Sequence, residues 1–179
     1  MPYTINEHIH RFSAWAASRA ASVKGCRFDV ETGKALIEAV GLHHFVNKPD
    51  QLPSPVQIDQ FHEHWRHHMI REAAARRLSF THGVAAKLIN MYFKSALVCA
   101  GHHTNQKVMA LHPPIDNVLL DSLIKNDVGE LAKQWRSYKN IKWSKFNDRD
   151  YGTIIALIRS VINDSSGMWG IEQYWRGYQ

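Results

Sequence analysis

Apolar residues return at helical spacing along most of the chain, and the rhythm breaks only at short runs of proline, glycine and small polar residues. Ile5, Ile9, Phe12, Ala16 and Ala20 predict a first helix over roughly residues 4–22. Asp29 can cap a second helix that stops at Gly41. The run "HHFVNKPDQLPSP", with three prolines, is the clearest loop, and Ser54-Pro55 opens a third helix reaching about Leu78. A fourth helix spans about 83–100 and ends before Gly101, after which "GHHTNQK" reads as a polar loop. A fifth runs from Pro113-Pro114 to about Lys125 and a sixth follows from Asp127. A seventh, capped by Asn147 or Asp148, extends to about Ile162, and a short last helix holds "GMWGIEQYW". Alternating β-rich runs, repeats and low-complexity stretches are absent from the sequence, as is any linker long enough to divide it. The pattern predicts an all-α chain with one domain over residues 1–179.

Composition narrows this picture without changing it. A chain of 179 residues can bury one sizeable core, and 45% hydrophobic with 21% charged residues is the balance of an ordinary globular protein. The two cysteines, Cys26 and Cys99, make no framework; both stand in apolar contexts that predict buried, reduced thiols, with a single disulfide left open. The start "MPYTINEHIHRF" lacks the apolar core of a signal peptide, and no apolar run approaches membrane-spanning length. A cytoplasmic monomer with no membrane partner is the expectation.

The net charge of +6 is concentrated in one place. In "LAKQWRSYKNIKWSKFN" (131–147), Lys133, Arg136, Lys139, Lys142 and Lys145 recur every third residue with no acid among them. Trp135, Tyr138, Trp143 and Phe146 are interleaved, so the cations could hold nucleic-acid phosphates while the rings enter the core or meet bases. A solvated helix face explains the same run equally well.

Twelve histidines invite a metal reading. A zincin motif fails in "HEHWRHH" because residue 66 is arginine, and the pairs His64/His68, His43/His44 and His102/His103 lack a clear carboxylate partner. Surface histidines are the better account, so neither metal nor cofactor is expected. Phosphate-binding loops, dinucleotide fingerprints and a serine nucleophile elbow are also missing.

What remains is a lysine and an aspartate. Thr81-His82-Gly83-Val84-Ala85-Ala86-Lys87 leads into the fourth helix with Lys87 on it, and Pro114-Ile115-Asp116 opens the next long one. In register and order these resemble the helix-hairpin-helix DNA glycosylases, whose hairpin reads Leu-Pro-Gly-Val-Gly-x-Lys and whose downstream Val-Asp follows a proline. The resemblance covers roughly residues 78–124 best, and the small all-helical 8-oxoguanine glycosylase branch is nearest by size. Differences are visible too. Thr81, His82 and Ala85 replace the hairpin's leucine, proline and second glycine, and Val118 stands where the family has histidine.

The resemblance implies a helical bundle that flips a modified base out of DNA and cleaves its N-glycosidic bond. Asp116 would stabilise the cationic sugar, and Lys87 would attack the anomeric carbon to form a Schiff base, adding abasic-site lyase activity. Gly83 and His82 would meet the DNA backbone at the hairpin, and His112 would face the base pocket. Arg76 and Arg77 could reach phosphates, whereas Trp65 and Trp169 read as core. Oxidised guanine, or a hypermodified phage cytosine such as a glucosylated one in antiviral defence, is the implied target. Two other readings stay open from the residues themselves: Lys87 shares a polar stripe with Gly83, Asn90 and Lys94 and could be solvated, and Asp116 could be a helix cap. The alternative function is a non-catalytic helical DNA-binding protein.

Overall fold

The computed structural model describes residues 3–163 and 165–178, and among them every regular element is helical. Capping residues set most of the helix starts. Helix α1 (Ile5–Ala21) begins where the Thr4 side chain accepts from the Glu7 amide, and α2 (Val30–Ala39) where Asp29 accepts from Thr32. Gly41 then turns the chain with φ of 83°, a left-handed conformation that glycine adopts without a Cβ clash.

Helix α3 (Ile58–Ala75) begins later than the Ser54-Pro55 entry predicts, because Pro55–Gln57 forms a tighter 3₁₀ turn first. Helix α4 (His82–Phe93) is capped by Thr81, whose hydroxyl accepts from Val84. Its continuation differs from the expected straight helix: Lys94–His102 widens into π-helical turns that close on Gly101, where φ is 97°. The polar loop "GHHTNQK" holds a short helix of its own, α5 (Gln106–Met109), nucleated by the Asn105 side chain on the Lys107 amide.

Pro113 and Pro114 bar a helix before Asp116, which caps α6 (Asn117–Lys125). The sixth predicted helix is shorter than expected. Asp127, Gly129 and Glu130 all take positive φ in a tight turn, so α7 (Ala132–Ile141) starts five residues late. A reciprocal capping box between Asn147 and Asp150 opens α8 (Asp148–Val161). Met168–Tyr174 is a 3₁₀ segment.

Helix α4 runs through the middle of the molecule. Helices α1 and α3 pack along it, the Trp143–Lys145 turn crosses its first turn, and α8 lies against it. Every residue from Gly83 to Asn90 is buried. Gly83 explains the crossing: a Cβ there would stand 1.8 Å from the Trp143 carbonyl oxygen, so only glycine lets the turn approach. Of the two thiols, Cys26 is buried as expected, but it bridges to Val23 outside any helix, and Cys99 is exposed. Both are free. No helix among the described residues is long and apolar enough to cross a membrane.

Candidate active site

A lysine in the interior of a buried helix needs a counter-charge, because desolvation disfavours its cationic form. Lys87 is 5% exposed and its Nζ donates to Asp116 Oδ2 at 2.9 Å, although the two residues lie 29 apart in sequence. The solvated-stripe reading of Lys87 is therefore overturned, and Asn90, 2% exposed, is buried with it. Asp116 is held from three sides. The Leu119 amide donates to Oδ1 at 2.9 Å, and the Trp175 indole N–H donates to Oδ2 at 3.2 Å beside the lysine.

The pair faces a cavity of about 170 Å³. Trp143, Trp175, Met91, Pro114 and Ala20 supply its apolar walls, and Lys94 and Glu172 add a second ion pair. The Lys87 ammonium lies 5.6 Å from the centre of the Trp143 ring, and Lys94 lies 5.2 Å from that of Trp175. The crossing that Gly83 permits thus sets one tryptophan wall. The last 3₁₀ segment delivers Glu172 and, just beyond it, Trp175. Lys94 projects from the first π-helical turn after α4, a local widening that often marks functional sites.

Electrostatics divide these four charged groups. Burial pulls the Lys87 ammonium below its ordinary pKa, with Asp116 only partly restoring it. Burial alone would raise Asp116, but the charge of Lys87, the Leu119 amide and the Lys87 and Trp175 hydrogen bonds bring it below the usual carboxylate value. Glu172 goes the other way: burial raises it more than Lys94 and Lys87 lower it. A cavity with one carboxylate held ionised and another pushed toward its acid form has the makings of acid–base chemistry.

The other expected site residues fall elsewhere. Gly83 does not offer its amide to a phosphate, because that N–H donates to the Phe146 carbonyl at 3.1 Å in a buried contact. His82 is the first residue of α4 and accepts from Arg66 Nη1 at 3.1 Å, in a cluster with Asp148. His112 does not line the Lys87–Asp116 cavity. It belongs to a buried relay of hydrogen bonds whose direction is fixed by the need to satisfy every partner.

In that relay Arg66 Nε donates to His62 Nδ1 at 3.2 Å, and His62 Nε2 donates to Asn90 Oδ1 at 2.7 Å. The Asn90 amide then donates to the Tyr151 hydroxyl and to the Pro113 carbonyl, each at 2.9 Å. The Tyr151 hydroxyl donates to His112 Nδ1 at 3.1 Å, and His112 Nε2 to Asp59 Oδ1 at 2.8 Å, where Arg159 closes the series. Nothing in the single sequence signals this network beyond its histidines.

In the basic stripe, Lys133, Arg136, Lys142 and Lys145 are exposed, as phosphate contacts would require. Lys139 is not free: it pairs with Asp121 of α6, an acid the local sequence hides. Trp135 and Phe146 are buried and Tyr138 packs edge-on against Phe146, so these rings serve the core, whereas Trp143, also buried, reaches the cavity wall. Arg76 is tied to Glu72 of α3 at 2.7 Å. Trp65 is buried, and Trp169 is only half-buried.

The described residues include a three-ligand group of metal-site dimensions, His67, His82 and Asp148, with ligand atoms all within 4.8 Å of one another. The buried Arg66 guanidinium donates to both His82 Nδ1 and Asp148 Oδ1, at 3.1 and 2.8 Å, so a cation there would meet a fixed positive charge. Compared with protein-family models, curated proteins and solved structures, the chain matches none.

Proposed function

We propose that this protein is a DNA glycosylase that flips a modified base into the cavity at Lys87 and Asp116 and cleaves its N-glycosidic bond. The observation that carries the reading is the 2.9 Å contact between a buried amine and a fixed carboxylate at a cavity walled by two tryptophans. Breaking the bond leaves positive charge on the sugar, and a preorganised anion stabilises that charge without reorganisation. Asp116 supplies the anion. Lys87, with its ammonium form disfavoured by burial, supplies an amine able to bond C1′ and form a Schiff base. Tryptophan faces suit a flipped aromatic base. The exposed cations Lys133, Arg136, Lys142 and Lys145 give the phosphate-binding face such an enzyme needs.

Oxidised guanine and hypermodified phage cytosine, including its glucosylated form, are the substrates within this proposal. A second reading, a non-catalytic helical DNA-binding protein, draws on the hydrogen bond by which Asp116 caps α6. One substitution separates them. Asp116→Asn keeps size and capping ability while removing the charge. Incubated with plain, oxidised and glucosylated duplexes, the parent is expected to release one base, and the variant to release it at least about 100-fold more slowly with DNA affinity intact. Equal release by both proteins would contradict the catalytic role of Asp116. Absence of release by the parent from every duplex would favour the binding protein.

A further inference from the structure

Resting on the glycosylase reading, we propose that Glu172 is the acid that protonates the departing base, with Lys94 as the cation that receives the resulting carboxylate. Glu172 lines the same cavity as Asp116 and Lys87, but from the last 3₁₀ segment rather than from α4 or α6. Its side chain is 15% exposed and pairs with Lys94, whose ammonium lies over the Trp175 ring at 5.2 Å. That ring's indole N–H donates to Asp116 at 3.2 Å. Trp175 therefore stands between the two carboxylates, touching one directly and the other through Lys94. A base in this cavity would meet both the sugar-stabilising anion and the Lys94–Glu172 pair.

The step balances with the groups present. The bond from C1′ to the base nitrogen breaks and its electron pair leaves with the base. In its protonated form Glu172 passes the carboxyl proton to the base, which departs neutral, and Glu172 returns to the carboxylate that pairs with the Lys94 ammonium. The free amine of Lys87 bonds the sugar cation at C1′, and Asp116 takes the proton this amine must lose. Burial shifts both groups toward the reacting form, raising Glu172 and lowering Lys87. Two carboxylates in one site with opposed shifts are the usual division between a proton donor and a resident anion. Proton donation to a leaving group is worth about 100-fold or more in rate.

The test uses the full chain, the variant Glu172→Gln, and two kinds of duplex: those bearing 8-oxoguanine, 5-hydroxymethylcytosine or its glucoside, and one bearing a preformed abasic site. An abasic site has no base to expel. The inference expects E172Q to lose about 100-fold in release of the intact base, while borohydride trapping on the abasic duplex persists. It also expects the parent's release rate to fall on the alkaline side of its pH profile and this limb to be absent from E172Q. That second readout separates a proton donor from a residue that only shapes the cavity. Normal base release by E172Q, equal loss of release and trapping, or an unchanged alkaline limb would each overturn the assignment. So would trapping by the parent with no base released from any of the three modified duplexes, since no leaving group would then need an acid. A parent that neither releases a base nor is trapped would instead overturn the glycosylase reading itself.

Discussion

Two buried polar clusters start from neighbouring turns of α4, one at Lys87 and one at Asn90, and they are built on different principles. The Asn90 cluster is closed as a hydrogen-bond series, although Asp59, Arg66, His112 and Tyr151 also line a hollow of about 490 Å³. From Arg66 to Asp59 each donor has an acceptor, the rings of His62 and Tyr151 stack at 5.2 Å, and Arg66 lies over Tyr151 at 4.4 Å. Such a network fixes one arrangement of α3, α4 and α8, because leaving any member unpaired inside the core costs free energy. The Lys87 cluster is equally well bonded and borders a smaller cavity of about 170 Å³, and its two carboxylates are shifted in opposite directions. Burial and hydrogen bonding alone thus do not distinguish a stabilising cluster from a reactive one. What sets the Lys87 cluster apart is the opposed shift of its two carboxylates.

The largest expected contrast is between Asp116→Asn and Asn90→Ala. The first should lower base release by at least about 100-fold and also cost stability, because the buried Lys87 ammonium loses its counter-charge. The second strands His62, Tyr151 and the Pro113 carbonyl, and should cost about 1–3 kcal/mol per unpaired buried group while sparing release at temperatures where it stays folded. Matched unfolding and single-turnover measurements check both. Equal effects of the two variants on both readouts would erase the contrast.

Gly83→Ala joins the two regions mechanically. Its new methyl would meet the Trp143 carbonyl at 1.8 Å, so the turn must retreat, at a cost of about 1–3 kcal/mol or more in stability. Because Trp143 is a cavity wall, release should slow as well, and both effects can be followed by unfolding and kinetics on one preparation.

Acid should find the closed cluster first. Burial holds His62 and His112 below the ordinary histidine pKa, so both are neutral when folded and take up protons when unfolded. Their contribution is complete above the unfolded value of about 6.5 and is lost as pH falls from there through the lowered folded values. Asp59, lowered chiefly by the His112 hydrogen bond with Arg159 adding to it, loses its contribution at still lower pH. Unfolding free energy measured against pH should therefore begin to fall near about 6.5 in the parent. Full stability retained well below that value would contradict the assignment.

The smallest effects belong to the surface. Replacing Lys142 or Lys145 with alanine should weaken binding to all DNA sequences alike and flatten the salt dependence by about one unit of slope per lost phosphate contact. Lys139→Ala should change the slope less, because Asp121 already neutralises that cation. Titrations at several salt concentrations would show the ranking.

The all-helical character was legible because apolar spacing and caps at Asp29, Asp116 and Asn147 act locally. Helix ends were harder to read where the chain tightens or widens, as at Pro55–Gln57 and Lys94–His102, since the same residues suit several helical geometries. Lys87 and Asp116 stood out by register, and their contact depends on α4 and α6 meeting through the fold. Glu172 and Trp175 escaped notice because they arrive from the far end of the chain; the one signal was a single acid within the aromatic run "GMWGIEQYW". His112 stands apart from the Lys87–Asp116 cavity although Pro113 and Pro114 lead to it, because its own ring turns to Tyr151 and Asp59.

The central claim is that the Lys87 amine is a nucleophile toward a deoxyribose carbon, and borohydride trapping on a duplex with one abasic site tests it most directly. The account predicts a covalent protein–DNA adduct from the parent that disappears in Lys87→Ala, with the variant still folded and still bound to DNA. An adduct of undiminished yield from Lys87→Ala would contradict it, as would no adduct from a parent protein that binds the duplex.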